Sequence, residues 1–151
     1  LLVGAYYDYL INTFGEHPFL LAKINAINTR TLYRAQRLEL TEDDYARELI
    51  GDDTTREKFK SYFRLDQKQI ATILKEKVDP RVGELFSHLH ENKKQADNYF
   101  DLYIDSKVND LVFSFEVVDL FIVYVHLAKR LIKHLKKVYY RVETNETNRL
   151  N

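Results

Sequence analysis

Arg81 and His88 have the side chains, and the spacing, with which one helix could act on a phosphodiester. Histidine takes up and releases protons near neutral pH, and arginine stabilises the negative charge that develops on phosphorus during cleavage. Six residues separate the two, which is close to two helical turns, so both side chains are expected on one face of a helix. They are the candidate catalytic residues of this chain.

The spacing of Arg81 and His88 resembles the R-x4-6-H element of the HEPN ribonucleases, an all-helical family. The resemblance covers this element alone. It implies that the pair meets the same pair of a second copy across a dimer interface and cuts RNA.

Residues 66–92 resemble the helix-turn-helix of winged-helix proteins, in which an Ile-Ala pair opens the first helix and aliphatic residues line the second. Ile70 and Ala71 match the Ile-Ala pair of the first helix, and Val82, Leu85 and Leu89 match the aliphatic residues of the second. The resemblance implies that a second helix presents the nucleic-acid-binding candidates to a major groove: Arg81, Ser87 and His88, with Glu84 beside them. With 23 basic and 23 acidic residues the chain has no net charge to attract a polyanion, so nucleic acid is an unlikely partner.

Asp97, Asp101 and Asp105 recur at every fourth residue and are expected on one helical face. Carboxylates at that spacing repel one another, and a bound cation relieves the repulsion. These three residues are the metal-ligating candidates. The alternative, which we favour, is a solvated helix face, and neither a metal nor a cofactor is part of the main interpretation.

The composition favours one soluble domain that folds without disulfides or a structural metal ion. A chain of 151 residues is long enough to bury about two thirds of its unfolded surface. The absence of cysteine excludes disulfides and thiol chemistry and fits a reducing compartment. We therefore expect a cytoplasmic protein.

Periodic apolar residues, prolines and capping residues predict helices along the whole chain. The expected ranges are 2–14, 18–37, a short helix after Thr41, 54–63 and a helix of about three turns that Asp66 begins, followed by a helix from Pro80. Thr54 with Glu57, and Asp66 with Gln69, are the expected capping boxes. A break is required at 92–98 or at 105–109, of which we favour the second, because a helix from residue 80 to residue 140 is too long for a compact domain.

Residues 110–140 form the longest apolar stretch, and we predict that it is the core helix of the fold. Its polar residues fall on one stripe, and three of them, Glu116, Asp119 and His126, are predicted to form a buried polar seam. Leu120 and Phe121 lie opposite this stripe and are expected to be almost fully buried. Acidic residues interrupt the apolar run, so a membrane span is not expected.

The sequence thus predicts an all-α fold: a single-domain bundle of six or seven helices over residues 1–142, with a polar flexible tail at 143–151. The leading functional hypothesis is a non-enzymatic helical domain that acts through contacts with a protein partner or with itself, as a homodimer. It rests on the lack of any stronger catalytic motif and on the apolar excess, with 11 Tyr and 9 Phe. A helix-turn-helix regulator and a HEPN-like ribonuclease are the alternatives.

Overall fold

The computed structural model describes the backbone of residues 2–91 and 93–149 and the side chains of residues 5–13, 15–91 and 98–140. This part of the chain contains no strand, which confirms the predicted all-α class. Its eight helices are α1 (Leu2–Phe14), α2 (Pro18–Arg37), α3 (Glu42–Glu48), α4 (Asp53–Ser61), α5 (Gln67–Lys77), α6 (Pro80–Glu91), α7 (Lys93–Asn109) and α8 (Val117–Arg149).

Most predicted helix starts are confirmed. Pro18 opens α2 and Pro80 opens α6, because the fixed φ of proline suits the first helical turn. Thr41 caps α3. Asp66 and Gln69 form the predicted reciprocal capping box at the start of α5.

The predicted cap of α4 is wrong. Asp52, not Thr54, precedes this helix, and its carboxylate accepts a hydrogen bond from the backbone N–H of Thr55 at 3.0 Å. Asp52 and Thr54 are both common N-cap residues. Gly51 adopts a positive φ of 105°, so the chain turns immediately before Asp52 and places the aspartate at the cap.

The described part of the chain has eight helices instead of the predicted six or seven. The favoured break at 105–109 is wrong, because these residues belong to α7 and the turn follows them. Helix α6 ends at Glu91, and α7 begins at Lys93, with Asn92 outside the described residues. After α7, residues 110–116 form turns, in which the Ser114 hydroxyl accepts a hydrogen bond from the N–H of Glu116. The last helix therefore starts at residue 117 instead of residue 110. It continues to Arg149, across most of the predicted tail, whose flexibility stays a prediction.

The chain forms two compact units, Leu1–Asp105 and Ser106–Asn151. In the first unit α2 is the organising helix, since it packs against α1, α3, α4 and α6. Tyr7 of α1 and Ile50 join Leu20 and Ile24 of α2 in one apolar cluster. The central position predicted for the C-terminal helix thus belongs to α2 in this unit.

Helices α5 and α6 pack more extensively against each other than any other pair of helices in the described chain. Ile70 and Leu74 of α5 are buried, as are Val82 and Leu85 of α6. Gly83 lies at the contact, where the two backbones approach closely. This pair therefore depends on a residue without a side chain at position 83.

Gly83→Ala is expected to lower the free energy of unfolding by about 1–3 kcal/mol through overpacking, although alanine has the higher helix propensity. A Cβ at this position would lie 2.7 Å from the backbone oxygen of Ala71 and 2.8 Å from the Cβ of Lys75, so the helices must separate. Urea titration measures the loss, and Lys68→Ala, on the exposed side of α5, is the control. An unchanged or higher stability for Gly83→Ala would show that a Cβ atom at position 83 fits between α5 and α6 without overpacking.

The predicted burial of the C-terminal helix is wrong. Leu120 is 48% exposed and Phe121 is 59% exposed, so α8 is not a core helix of this chain. Periodicity predicts an apolar face but does not reveal whether the same chain covers it. In the part of the chain that the structure describes, none of the helices combines the length and the apolarity needed to cross a bilayer.

Candidate functional site

The candidate catalytic residues lie on the outer face of α6. Gly83 and Leu85 are among the buried residues of this helix, whereas Arg81 is exposed and His88 is half-buried. The carboxylate of Asp79, just before the helix, accepts a hydrogen bond from the Arg81 backbone N–H at 2.9 Å. Arg81 and His88 therefore share a face, as predicted.

Tyr99 of α7 lies over this face of α6. Its hydroxyl donates a hydrogen bond to the carboxylate of Glu84, and its ring centroid is 4.5 Å from that of His88. The hydrogen bond to Glu84 is the main cause of the raised pKa of Tyr99. Nδ1 of His88 lies 3.3 Å from the Glu91 carboxylate. The imidazole thus lies beside an aromatic ring and a carboxylate of its own chain.

A second tyrosine of α7, Tyr103, is buried beside the start of α6. Burial raises its pKa, the charge of Asp79 raises it further, and the charge of Arg81 lowers it. Sequence reasoning missed Tyr99 and Tyr103, although two tyrosines four residues apart indicate one helical face.

The nucleic-acid-binding candidates do not form an open recognition surface. The hydroxyl of Ser87 donates within α6 to the carbonyl oxygen of Gly83 at 3.3 Å, and Tyr99 covers the His88 ring. Helix α6 also packs against both α5 and α2. A helix that enters a major groove needs its outer face free, and here α7 occupies part of that face.

The other predicted sites are only partly within the described side chains. Asp97 lies outside them, Asp101 is exposed and Asp105 is half-buried. Among the side chains that are described, no group of three or more His, Asp or Glu residues is placed to hold a metal ion.

His90 is packed differently from His88. Its ring makes edge-to-face contacts with Tyr33 and Phe86, at centroid distances of 4.7 and 4.8 Å. Its Nε2 atom is buried without a hydrogen-bond partner among the described residues. Burial lowers the pKa of His90, because no neighbouring acceptor compensates for the lost hydration of the charged ring.

The stability of the first unit is expected to fall as pH drops below about 6.5, the usual histidine pKa. Below this pH His90 is protonated in the unfolded chain but stays largely neutral in the folded chain, because its folded-state pKa is lower. Acid therefore favours unfolding. His90→Phe should flatten the dependence of the unfolding free energy on pH between about 7 and 5. His90→Gln should flatten it equally, because it also removes the titrating ring. If both variants keep the pH dependence of the unchanged protein, then His90 does not contribute to that dependence.

Most of the large apolar side chains that are exposed in the described chain lie on α8. Spacings of three and four residues place Val117, Leu120, Tyr124, Leu127, Leu131, Leu135 and Val138 on one side of this helix, and all of them are exposed. We call these seven residues, together with Phe121 and Ala128 on the same side, the α8 face. No polar side chain interrupts it.

The predicted polar seam lies on the opposite side of α8 and is not buried. Glu116 is exposed, and Asp119 and His126 are half-buried, as is Val123 between them. Among the described side chains of α8, Ile122, Val125 and Ala128 are also half-buried. The large side chains of the α8 face are exposed.

The turn before α8 extends this apolar surface. Phe113 is 88% exposed and Phe115 is 99% exposed. Large apolar side chains are seldom so open on a monomeric surface, and clusters of them mark interaction sites. Sequence reasoning had placed both phenylalanines inside the core helix.

No family model, no curated protein and no solved structure matches this chain. The function must therefore be argued from the chemistry and the exposure of the surfaces described above.

Proposed function

We propose that this protein is a non-enzymatic helical interaction domain that self-associates through the α8 face into a homodimer. The observation that carries the proposal is the continuous exposure of large apolar side chains along α8. Twelve of them are exposed between residues 117 and 140. A single chain that leaves so much apolar surface in water is expected to cover it by association.

The size of this surface fits a specific interface. Eight of these twelve side chains belong to the α8 face, and at roughly half exposure each they present on the order of 800 Å². That exceeds the few hundred Å² of the largest patch on an ordinary monomer and reaches the approximately 800 Å² per partner of a stable complex. Two copies pairing through the α8 face would therefore bury enough area to form a lasting dimer.

The two alternative functions have less support. The ribonuclease hypothesis requires Arg81 and His88 to meet a second copy, and the helix-turn-helix hypothesis requires the face of α6 to reach DNA. Tyr99 lies over that face and binds Glu84. We infer no catalytic role, and we infer the cytoplasm as the location because the chain has no cysteine.

Sedimentation equilibrium of the unchanged chain tests the proposal. The chain has a mass of 18.0 kDa, and we expect the average mass to rise toward twice this value over the range of about 1–100 μM. A mass that stays at that of one chain at tens of micromolar would overturn self-association. It would also remove the dimer on which the ribonuclease alternative depends.

A further inference from the structure

We infer that the two copies pair through α8 in antiparallel orientation, around a two-fold axis that passes between Leu127 and Ala128. This inference rests on the proposed self-association and specifies its partner, which is a second copy of the same helix running in the opposite direction. It follows from the charge distribution along α8 and from the spacing of its apolar residues.

Charge is divided between the two halves of residues 116–140, the segment that contains the α8 face. From residue 116 to residue 128 the only ionised side chains are the acids Glu116 and Asp119. From residue 129 to residue 140 the chain has no acid, and its bases are Lys129, Arg130, Lys133, Lys136 and Lys137. Each copy therefore has an acidic and a basic half.

This division disfavours a parallel pair. The axes of packed helices lie about 8–10 Å apart, which is comparable to the screening length of about 8 Å at physiological salt. Two basic halves placed side by side in a parallel pair therefore repel each other. An antiparallel pair places each basic half beside the partner's acidic half and also opposes the helix dipoles. The charges therefore select the antiparallel pair.

The apolar spacing selects the register. About an axis between Leu127 and Ala128, Val117 lies opposite the partner's Val138, and Leu120 lies opposite the partner's Leu135. Every residue of the α8 face except Phe121 then meets another member of the face across the axis, as an isologous interface requires.

Two further features fit this register. The small side chain of Ala128 at the centre lets the two helices approach closely. At the ends, Phe115 comes level with the partner's Tyr140, which is also exposed. The exposed phenylalanine of the turn thus gains an aromatic partner.

Cysteine cross-linking tests the orientation, because the chain has no cysteine of its own. We compare Leu120→Cys and Leu135→Cys, each alone and as an equimolar mixture, under a glutathione redox buffer on non-reducing gels. In the antiparallel pair two copies of position 120 are about 22 Å apart along the helix, beyond the reach of a disulfide. We expect the mixture to give at least about tenfold more cross-linked dimer than either variant alone.

The outcomes separate this inference from the proposed function. Ala128→Cys, next to the axis, should cross-link with itself and acts as the positive control. Rapid cross-linking of Leu120→Cys alone would establish a parallel pair and overturn the inference, while self-association stands. Dimers by sedimentation that fail to cross-link at all three positions would also overturn it, since another face must then associate. If the variants and the unchanged chain all sediment as monomers under reducing conditions, the proposed function itself is overturned.

Discussion

Asn28→Ala is expected to lower the free energy of unfolding of the first unit by about 2–4 kcal/mol. The side chain of Asn28 is fully buried, and it makes two hydrogen bonds to the backbone of Ile50. Nδ2 donates to the carbonyl oxygen at 2.8 Å, and Oδ1 accepts from the N–H at 3.0 Å. Alanine leaves a buried donor and a buried acceptor of Ile50 without partners, which costs more than the bonds contribute.

Equilibrium urea unfolding, with Asn12→Ala as the control, measures this effect. Asn12 is exposed on α1, and its replacement should change the free energy by less than about 0.5 kcal/mol. Equal small losses at both positions would mean that water replaces Asn28 at Ile50, and that the segment before α4 is not held to α2 by this side chain.

Leu131→Gln is expected to raise the dissociation constant of the dimer at least about a hundredfold, or about 2.7 kcal/mol. Leu131 is exposed in the single chain and lies within the α8 face. Each dimer contains two copies of the substitution, and each copy loses the burial of a leucine side chain, which contributes about 1.5–3 kcal/mol. The unfolding of the first unit should not change.

Lys133→Gln is the matched control, since it places the same side chain two residues away on the opposite, exposed side of α8. We expect its dissociation constant to stay within about threefold of the unchanged protein. Sedimentation velocity over a dilution series measures both variants. Similar constants for the two would exclude the α8 face as the interface.

Local signals were enough to predict most of the helices. Pro18 and Pro80 fix helix starts through their own backbone geometry, and the capping box of Asp66 and Gln69 lies within four residues. Asp52 and Thr54 are both common cap residues, with aspartate somewhat preferred, and the choice at α4 depends on the turn at Gly51, which the sequence does not specify.

Long-range features could not be predicted in the same way. The pairing of Asn28 with Ile50 joins residues that are 22 positions apart, and nothing in either residue type indicates the other. Tyr99 was missed as a neighbour of His88 for the same reason.

The wrong prediction that α8 is buried has a different cause. A core helix and an interface helix need the same apolar periodicity, because in both cases one face leaves water. Truncation of a buried phenylalanine to alanine costs about 3–5 kcal/mol. Phe121 is 59% exposed, so its truncation should lower the free energy of unfolding of the single chain by much less.

Hydroxyl-radical footprinting at increasing protein concentration tests most directly whether the α8 face is the surface that association covers. Tyr124 on this face is 70% exposed and Tyr9 on α1 is 64% exposed, so both should be oxidised at similar rates in the dilute monomer. As the concentration passes the dissociation constant, Tyr124 should become protected several-fold while Tyr9 is unchanged. Association without protection of Tyr124, or with protection of Tyr9 instead, would contradict the proposed interface.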